Sequence, residues 1–290
     1  MNIAVLSRGE HLYSTQSIIK AGETRGHGME VLDPFYFSSS IVDNKAILRY
    51  HDEIVDDIDA IIPRVGASNT FFGASLVRQF ESANVFCAVS ADAILRSRDK
   101  WLSFQIMAKA GVPVPNTLLG TGFNSEENLR SFNSEKVIIK LLEGTHGNGV
   151  ILTESFQNAL STIEALHTAK VKFILQEFIE ESDGADLRAI VVDGVVVAAM
   201  RRKSKSGDFR SNLHRGGTST TIDLSKAEEQ AALKAAKALQ LGVCGVDILQ
   251  STRGPLVLEV NSTPGLEGIE KTTGKNIAKS IIGFVERSKR

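Results

Sequence analysis

Three oxygen-bearing side chains near the end of the chain have the types and spacing of a metal site. Asp247 lies in the apolar stretch 246–249, and Glu259 and Asn261 lie in the stretch 258–261. Because side chains alternate along a strand, Glu259 and Asn261 share one face, and a hairpin would bring Asp247 opposite them. Magnesium prefers hard oxygen ligands together with substrate phosphates. The apolar neighbours predict that these groups are buried, which favours a magnesium or manganese site over carboxylates facing solvent.

A glycine-rich turn next to a lysine could bind phosphate groups. The turn 143–149 contains three glycines, and Lys140 precedes it. Glycines let backbone N–H groups approach phosphate oxygens, and a lysine adds positive charge. The spacing is not that of a P-loop, and an ordinary flexible hairpin would have the same composition. His146, within the turn, is predicted to face solvent.

The segment 176–179 could contact the base of a nucleotide. It ends one predicted lobe, so its backbone can reach a base edge while Phe178 or Ile179 lines the apolar face, and Asp186 follows at a distance suited to a ribose hydroxyl. A strand end followed by an exposed acidic turn would fit these residues equally well.

A basic loop at 201–217 concentrates arginines and lysines in a chain of almost no net charge, with 33 Lys and Arg against 34 Asp and Glu. Guanidinium groups match carboxylates and phosphates with two parallel hydrogen bonds. Solvated surface is the alternative reading of such a run. The near-zero charge gives no long-range attraction to nucleic acid or to an anionic membrane.

The elements that must position these residues begin with an α/β pattern. Apolar runs at 3–6, 29–32, 60–62 and 85–89 alternate with helical segments and predict an open parallel sheet. No glycine fingerprint follows the first run, so dinucleotide binding there is not expected. One long helix is predicted over 91–110, ending at Gly111 before two prolines.

The remainder of the chain predicts two further lobes. Strands at 136–140, 150–153 and 172–176 with a helix at 156–169 indicate a small α+β lobe. A strand over 189–200, a polar loop at 201–221, a helix begun by the capping box Ser225 and Glu228, a hairpin of strands 243–249 and 256–260, and an amphipathic final helix then follow. No apolar run is long enough to span a bilayer, so a cytoplasmic protein is expected. Cys87 and Cys244 lack the spacing of a zinc site and are expected to be buried thiols.

Several of these motifs together resemble the ATP-grasp superfamily, and within it the RimK family. The motifs are Lys140 with the glycine turn, 176–178, 186–188, the loop 207–217, 246–247 and 258–265. The segments 63–66, 98–100 and 265–274 also resemble the RimK family, whose ligases add glutamate to the C-terminus of the sixth small-subunit ribosomal protein. The resemblance covers nearly the whole chain.

The resemblance implies an N-terminal parallel α/β domain (1–95), a central lobe (96–179) and a C-terminal lobe (180–290), with ATP bound between the last two. Carried over by position, Asp247, Glu259 and Asn261 would hold Mg²⁺ or Mn²⁺. The implied contacts with ATP are made by Lys100, Lys140, Glu177, Phe178, Asp186, Arg210, Ser211 and Asn212.

The reaction implied for the class is phosphorylation of a carboxylate by ATP, followed by attack of an amine on the acyl phosphate. Some ATP-grasp ligases carry an arginine shortly before the first metal carboxylate, where this chain has Cys244, Gly245 and Val246. The cation for the oxyanion must then come from elsewhere, and the basic loop suggests Arg202 and Arg215 for this role and for the substrate carboxylates.

The expected partners are ATP, L-glutamate and the C-terminus of a ribosomal protein, with no nucleic acid or membrane and with a homo-oligomeric state. Repeated addition of glutamate is an open possibility. So are an acceptor on an amino-acid carrier protein, a coenzyme ending in glutamate, and a regulator that binds nucleotide without turnover. The acceptor pocket is expected to involve Arg8, Tyr13 and Arg64 of the first domain.

Overall fold

The computed structural model describes residues 1–120, 124–143, 149–204 and 216–289. The helices are α1 (Tyr13–Thr24), α2 (Thr70–Ser82), α3 (Ala91–Arg98), α4 (Lys100–Lys109), α5 (Ser125–Arg130), α6 (Phe156–Thr168), α7 (Lys226–Ala238), α8 (Glu267–Thr273) and α9 (Ile277–Ser288). The first strands are β1 (Asn2–Leu6), β2 (Gly28–Leu32), β3 (Phe37–Val42), β4 (Lys45–Tyr50), β5 (Glu53–Ile54), β6 (Ala60–Pro63), β7 (Phe86–Cys87) and β8 (Thr117–Leu119). The others are β9 (Val137–Leu141), β10 (Val150–Thr153), β11 (Phe173–Glu177), β12 (Ala185–Val192), β13 (Val195–Lys203), β14 (Thr218–Thr221), β15 (Val243–Ser251) and β16 (Gly254–Asn261).

The N-terminal part contains the predicted parallel sheet. Its order is β2-β1-β6-β7, and every neighbouring pair is parallel. Ala4, Val5 and Leu6 of β1 are fully buried because this strand is central and has helices on its faces. A second, antiparallel sheet of β3, β4 and β5 was not predicted. It packs on α2 through Phe37, whose ring lies 5.5 Å from that of Phe80.

The predicted helix over 91–110 is wrong, because the chain forms two helices that meet at Asp99. The backbone of Asp99 is extended, and its carboxylate accepts a hydrogen bond of 2.9 Å from the N–H of Leu102. Asp99 therefore ends α3 and caps the start of α4, as a short acidic side chain does at a helix N-terminus. The break lets Arg98 and Lys100, on either side of it, point in different directions.

The central lobe has the sheet order β10-β9-β11-β8, and β9 carries Lys140 in its interior position. The strands and the helix α6 agree with the sequence prediction, whereas β8 and α5 were not predicted. The division of the chain at residues 95 and 179 stays a prediction.

The C-terminal sheet has the order β14-β13-β12-β15-β16. The single strand predicted over 189–200 is wrong: β12 and β13 form a hairpin that turns at Asp193 and Gly194, both with positive φ. An Asp-Gly pair favours this tight turn. The capping box of Ser225 and Glu228 at the start of α7 is confirmed.

The thiols differ in exposure: Cys244 is buried as expected, Cys87 is only half-buried, and neither forms a disulfide. Within the described ranges, no helix is long and apolar enough to cross a membrane.

One ion-pair cluster ties the C-terminal helix to the first domain. Glu286 of α9 accepts hydrogen bonds from Arg25 and, at 2.8 Å, from His27. Arg25 and His27 follow α1, so the cluster joins the two ends of the chain. The Arg25 guanidinium and the His27 ring hold the pKa of Glu286 at about 2, below its usual 4.5.

Glu286→Gln is expected to lower the free energy of unfolding at neutral pH by about 1 kcal/mol or less. Because the pKa of Glu286 is depressed in the folded state, its contribution is complete above pH 4.5 and is lost as the pH falls toward 2. Urea unfolding of both proteins at several pH values measures this difference. A difference that stays constant down to pH 3 would contradict the assignment.

Candidate active site

A row of charged side chains crosses one face of the C-terminal sheet. Arg188 on β12 is the cross-strand partner of Asp247 on β15, which is in turn the partner of Glu259 on β16. The Arg188 Nε and Nη2 atoms donate to the two oxygens of Asp247 at 2.7 and 2.6 Å. The pleat places these residues on the same face because directly opposed residues point the same way.

A second arginine makes Asp247 part of a buried network. Arg202 on β13 lies 3.0 Å from an oxygen of Asp247, and its Nε donates to Asp186 at 2.7 Å. A second hydrogen bond joins Arg202 and Asp186. The side chains of Arg202, Asp186 and Asp247 are each at most 4% exposed, whereas that of Arg188 is 16% exposed. Arg188 is therefore the arginine of this network that borders the solvent-accessible side.

The charges in the network stabilise one another. Burial alone would raise the pKa of Asp247, but Arg188 and Arg202 hold it well below its usual range. Burial would likewise lower the pKa of Arg202, but Asp247 and Asp186 outweigh it and raise the pKa. Asp247 and Arg202 are therefore both ionised at neutral pH, because each has an opposite charge within hydrogen-bonding distance.

The end of β16 carries the remaining predicted metal ligands, Glu259 and Asn261. Asn261 Nδ2 donates to Glu259 Oε1 at 3.0 Å, which confirms that the two side chains share a face. The burial expected for all three groups is wrong in part: Asp247 is buried, Asn261 is half-buried and Glu259 is exposed. Glu259 is exposed because it lies on β16, the edge strand of the sheet.

A β-bulge separates this pair from the core half of β16. Asp247 pairs with Glu259 but Ile248 pairs with Val257, so Leu258 is an extra residue. Neighbouring cross-strand pairs face opposite sides of a sheet. Val257 therefore packs in the core, fully buried, although it is only two residues from Glu259. The bulge therefore lets Val257 and Glu259, which are two residues apart, face opposite sides of the sheet.

Two lysines, Lys140 on β9 and Lys100 on α4, interact electrostatically with Glu259. Lys140 is 9% exposed in the interior of the central sheet, and burial lowers its pKa to about 8 although Glu259 acts in the opposite direction. Lys100, at the start of α4, donates to the carbonyl oxygen of Leu142 at 3.2 Å, and burial also lowers its pKa. Both lysines interact electrostatically with Glu259 and with each other, so the predicted phosphate-binding lysines lie together beside the predicted metal ligands.

The segment between the lobes is fixed by the side chain of Glu177. Its carboxylate accepts hydrogen bonds from the backbone N–H and the side-chain amide of Asn116, at 2.8 and 3.0 Å, and also pairs with Arg253. The ring of Phe178 lies 5.7 Å from the Nζ atom of Lys136. The Glu177 side chain thus joins two lobes, and a contact of this segment with adenine stays a prediction.

The other predicted contact residues fall partly within and partly outside the ranges that the structure describes. Arg210, Ser211, Asn212 and Arg215 lie outside the described residues, as do residues 144–148 of the glycine turn, including His146. Asp186 lies within the described ranges. Both of its carboxylate oxygens accept hydrogen bonds from Arg202, so its role in the structure is to orient Arg202. A ribose contact by Asp186 and a substrate contact by Arg202 stay predictions.

The donor set at the end of the sheet suits a magnesium ion. Asp247 and Glu259 offer carboxylate oxygens and Asn261 offers an amide oxygen, which are hard ligands of the kind that magnesium prefers. Within the described part of the chain, no group of three or more His, Cys, Asp and Glu forms a metal site. A magnesium ion here would thus have at most two carboxylate ligands and would need oxygens from water or phosphate.

Sequence reasoning missed two arginines. Arg188 is two residues after Asp186 in one strand, so strict alternation could have placed both on the active face. Arg98 could not be found in this way because it depends on the helix break at Asp99. Of the residues expected in the acceptor pocket, Arg8 and Arg64 line one small cavity, whereas Tyr13 lines a different cleft beside Glu270.

Comparisons with known proteins agree with this architecture. A family model described as RimK PreATP-grasp domain matches residues 1–94, and one described as RimK-like ATP-grasp domain matches residues 97–285. A probable alpha-L-glutamate ligase of Vibrio parahaemolyticus is 48% identical over 293 residues, which cover 99% of this chain and 96% of that protein. A probable alpha-L-glutamate ligase of Teredinibacter turnerae is 47% identical over 295 residues, which cover 100% of this chain and 97% of that protein.

The fold also matches solved structures. The ATP-grasp ligase PsnB, in a complex with a phosphomimetic variant of a minimal precursor, Mg and ADP, superposes with a TM-score of 0.77. The match covers 100% of this chain and 98% of PsnB at 20% identity, a level at which it supports the fold alone. The predicted ATP-grasp fold with an N-terminal parallel α/β domain is confirmed, and so is the predicted class, a ligase. Because the two family models together match nearly the whole chain, the protein belongs to the RimK-like family of ATP-grasp ligases.

Proposed function

We propose that this protein is an ATP-dependent α-L-glutamate ligase that joins glutamate to a carboxylate through an acyl phosphate. The observation that carries the proposal is the arrangement of Lys100 and Lys140 beside Glu259 and Asp247. Cations next to a pair of carboxylates suit a nucleotide bound with a divalent ion. The names of the relatives, which are nearly half identical along their whole length, support glutamate as the amine substrate.

In the first step, an oxygen of the acceptor carboxylate attacks the γ-phosphorus of ATP, and ADP leaves. Lys100 and Lys140 bind the phosphate oxygens and offset their charge. Partial burial strengthens this attraction because the surroundings screen charge less than water does. A magnesium ion held by Asp247, Glu259 and Asn261 would supply further positive charge at the phosphates.

In the second step, the amino nitrogen of glutamate attacks the acyl carbon, loses a proton, and phosphate leaves as the amide forms. Negative charge develops on the acyl oxygen. Arg188 has five N–H donors, and Asp247 accepts from two of its nitrogen atoms. Its remaining donors are available to that oxygen, and Asp247 fixes the orientation of the guanidinium. Arg188 thus takes the role that sequence reasoning assigned to Arg202 and Arg215.

For the acceptor we propose the C-terminus of the sixth small-subunit ribosomal protein, as the resemblance to the RimK family suggests. A carrier protein or a coenzyme ending in glutamate would use the same chemistry. The proposed setting is the cytoplasm, with a homo-oligomeric enzyme that recognises the protein end and not nucleic acid.

The test is turnover of the purified protein with ATP, magnesium, L-glutamate and the recombinant ribosomal protein. ADP release is expected to depend on glutamate and on the acceptor, and mass spectrometry is expected to find one or more glutamyl residues added at the C-terminus. Lys140→Met should remove most of this activity because it deletes a phosphate-binding charge. Arg201→Gln is the matched control, because the exposed Arg201 on β13 points away from the network.

Three outcomes separate the alternatives. Activity with the ribosomal protein supports the whole proposal. Activity only with a carrier protein or a coenzyme ending in glutamate supports the ligase and overturns the acceptor. Tight nucleotide binding without ADP release under any of these conditions would overturn the ligase in favour of a regulator.

A further inference from the structure

Three arginines gather at one edge of the N-terminal sheet. Arg8 follows β1 and Arg64 follows β6, and these two strands are parallel neighbours. The carboxyl ends of parallel strands meet at the same edge, where α/β proteins often bind ligands. Arg98 ends α3 nearby and donates to the carbonyl oxygen of Val65 at 2.8 Å. None of the three forms an ion pair with a carboxylate in the ranges that the structure describes.

Arg64 and Arg98 both contact the loop that follows β16. Arg64 Nη2 donates to the carbonyl oxygen of Pro264 at 2.9 Å, and Arg98 Nη2 donates to Thr263 Oγ1 at 2.7 Å. These acceptors are neutral, so they do not offset the two positive charges. Burial and the like charge of Arg98 lower the pKa of Arg64 to about 10, which still leaves it charged at neutral pH. Partly buried cations that form no ion pair are costly unless a ligand supplies one.

Two buried polar atoms at this place have no hydrogen-bond partner. They are Arg98 Nε and Ser262 Oγ. Among the residues that the structure describes, these are the buried side-chain nitrogen and oxygen atoms without a partner. Ser262 is 2% exposed and lies between Asn261 and Thr263. Buried polar groups in proteins are nearly always hydrogen-bonded. Arg98 contacts Thr263, the chain neighbour of Ser262, so an unsatisfied guanidinium nitrogen and an unsatisfied hydroxyl group on adjoining segments favour an oxygen-bearing ligand.

We propose that Arg64 and Arg98 form a carboxylate-binding site between the N-terminal domain and the loop after β16, with Ser262 as a further hydrogen-bonding group. The site rests on the proposed function, in which every substrate other than ATP carries a carboxylate. A carboxylate is favoured over a phosphate because Lys100 and Lys140 already serve the nucleotide. Arg98 interacts electrostatically with Glu259, so the bound carboxylate lies beside the phosphoryl-transfer site. Arg64 also lines a small cavity that has Arg8 and Phe35 in its wall.

The carboxylate could belong to the incoming glutamate or to the acceptor end. Calorimetric titration of the full chain with Mg·ADP present separates these sources without requiring turnover. L-glutamate is the first probe, and N-acetyl-L-alanine represents the end of an acceptor chain. N-acetyl-L-alaninamide lacks the carboxylate and is the uncharged comparison. Wild-type protein is expected to bind at least one of the two carboxylate probes and not the amide.

Arg64→Gln and Arg98→Gln are each expected to weaken binding of that probe by about tenfold or more, because each removes charged hydrogen bonds. Affinity for Mg·ADP should stay within about twofold, which shows that the variants are folded. Arg78→Gln is the matched control, since the exposed Arg78 of α2 pairs with Asp92 at 2.8 Å, away from the site. The probe that is affected identifies the source of the carboxylate.

Binding of both probes by both variants at wild-type strength would overturn the site, as would failure of wild-type protein to bind either probe. If the carboxylate probe binds through Arg64 and Arg98 but no acceptor supports ADP release, the site stands and the proposed function fails. Turnover with unchanged KM values for glutamate and acceptor in Arg64→Gln and Arg98→Gln would instead leave the ligase standing and reject the site.

Discussion

Replacing Arg188 with glutamine is expected to slow turnover by about 10²–10³-fold, the usual effect of removing one preorganised donor to an oxyanion. The fold should survive because Asp247 keeps its contact with Arg202 at 3.0 Å. Arg188 is also the more exposed of the two arginines at Asp247. The measurement is kcat with saturating ATP, glutamate and acceptor, together with the free energy of unfolding.

Two further variants sharpen this result. Arg188→Lys keeps the charge but loses the two-pronged contact with Asp247, so it should recover only part of the rate. Arg201→Gln, with an exposed side chain on the opposite face of β13, should retain normal turnover. If Arg188→Gln keeps a rate within about threefold of wild type, Arg188 is not the oxyanion donor, and the cation must lie elsewhere, with Arg215 the remaining candidate from the sequence.

Replacing Arg202 with glutamine is expected to lower the free energy of unfolding by about 3–5 kcal/mol, because it leaves a buried carboxylate without its counterion. Asp186 would lose both of its charged hydrogen bonds, and Asp247 would lose one of its two arginines. The measurement is urea unfolding at neutral pH followed by circular dichroism. A loss of turnover in this variant would then reflect the damaged network and would not identify a substrate contact.

The double variant Arg202→Gln with Asp186→Asn tests the reason for this loss. Removing both charges of the pair removes the uncompensated carboxylate, so the double variant should be more stable than Arg202→Gln alone. Arg201→Gln should change stability by about 0.5 kcal/mol or less. If Arg202→Gln were as stable as wild type, Asp186 and Asp247 would not depend on this arginine, and the structural role given to Arg202 would be wrong.

Sequence patterns located the candidate metal ligands because local rules govern them. Alternation along one strand placed Glu259 and Asn261 on one face, and a short hairpin connection brought Asp247 opposite. The exposure of Glu259 could not be predicted from these local rules. Whether a strand is central or at the edge depends on the order of strands in the sheet, which is set by contacts distant in sequence.

The partnerships of the charged residues were also beyond local reasoning. The pair of Arg202 and Asp186 requires knowing that β12 and β13 are two strands of a hairpin, and the sequence was interpreted there as one strand. The Asp-Gly turn at residues 193 and 194 was the available signal. The break between α3 and α4 was hidden because Asp99 can lie inside a helix as well as cap one. No proline or glycine marks that position.

The extra residue Leu258 puts Val257 and Glu259 on opposite faces of the C-terminal sheet. The pairing of Val257 with Ile248 belongs to the core, and that of Glu259 with Asp247 belongs to the active face. Deleting Leu258 would leave both pairings possible, because the strand would simply become regular. What would change is its local twist, since bulges bend a strand and increase its twist. A variant without Leu258 keeps both acidic residues, Asp247 and Glu259, and changes only the twist of the strand. Comparing it with the wild type would therefore show how much this twist contributes to the orientation of the two side chains.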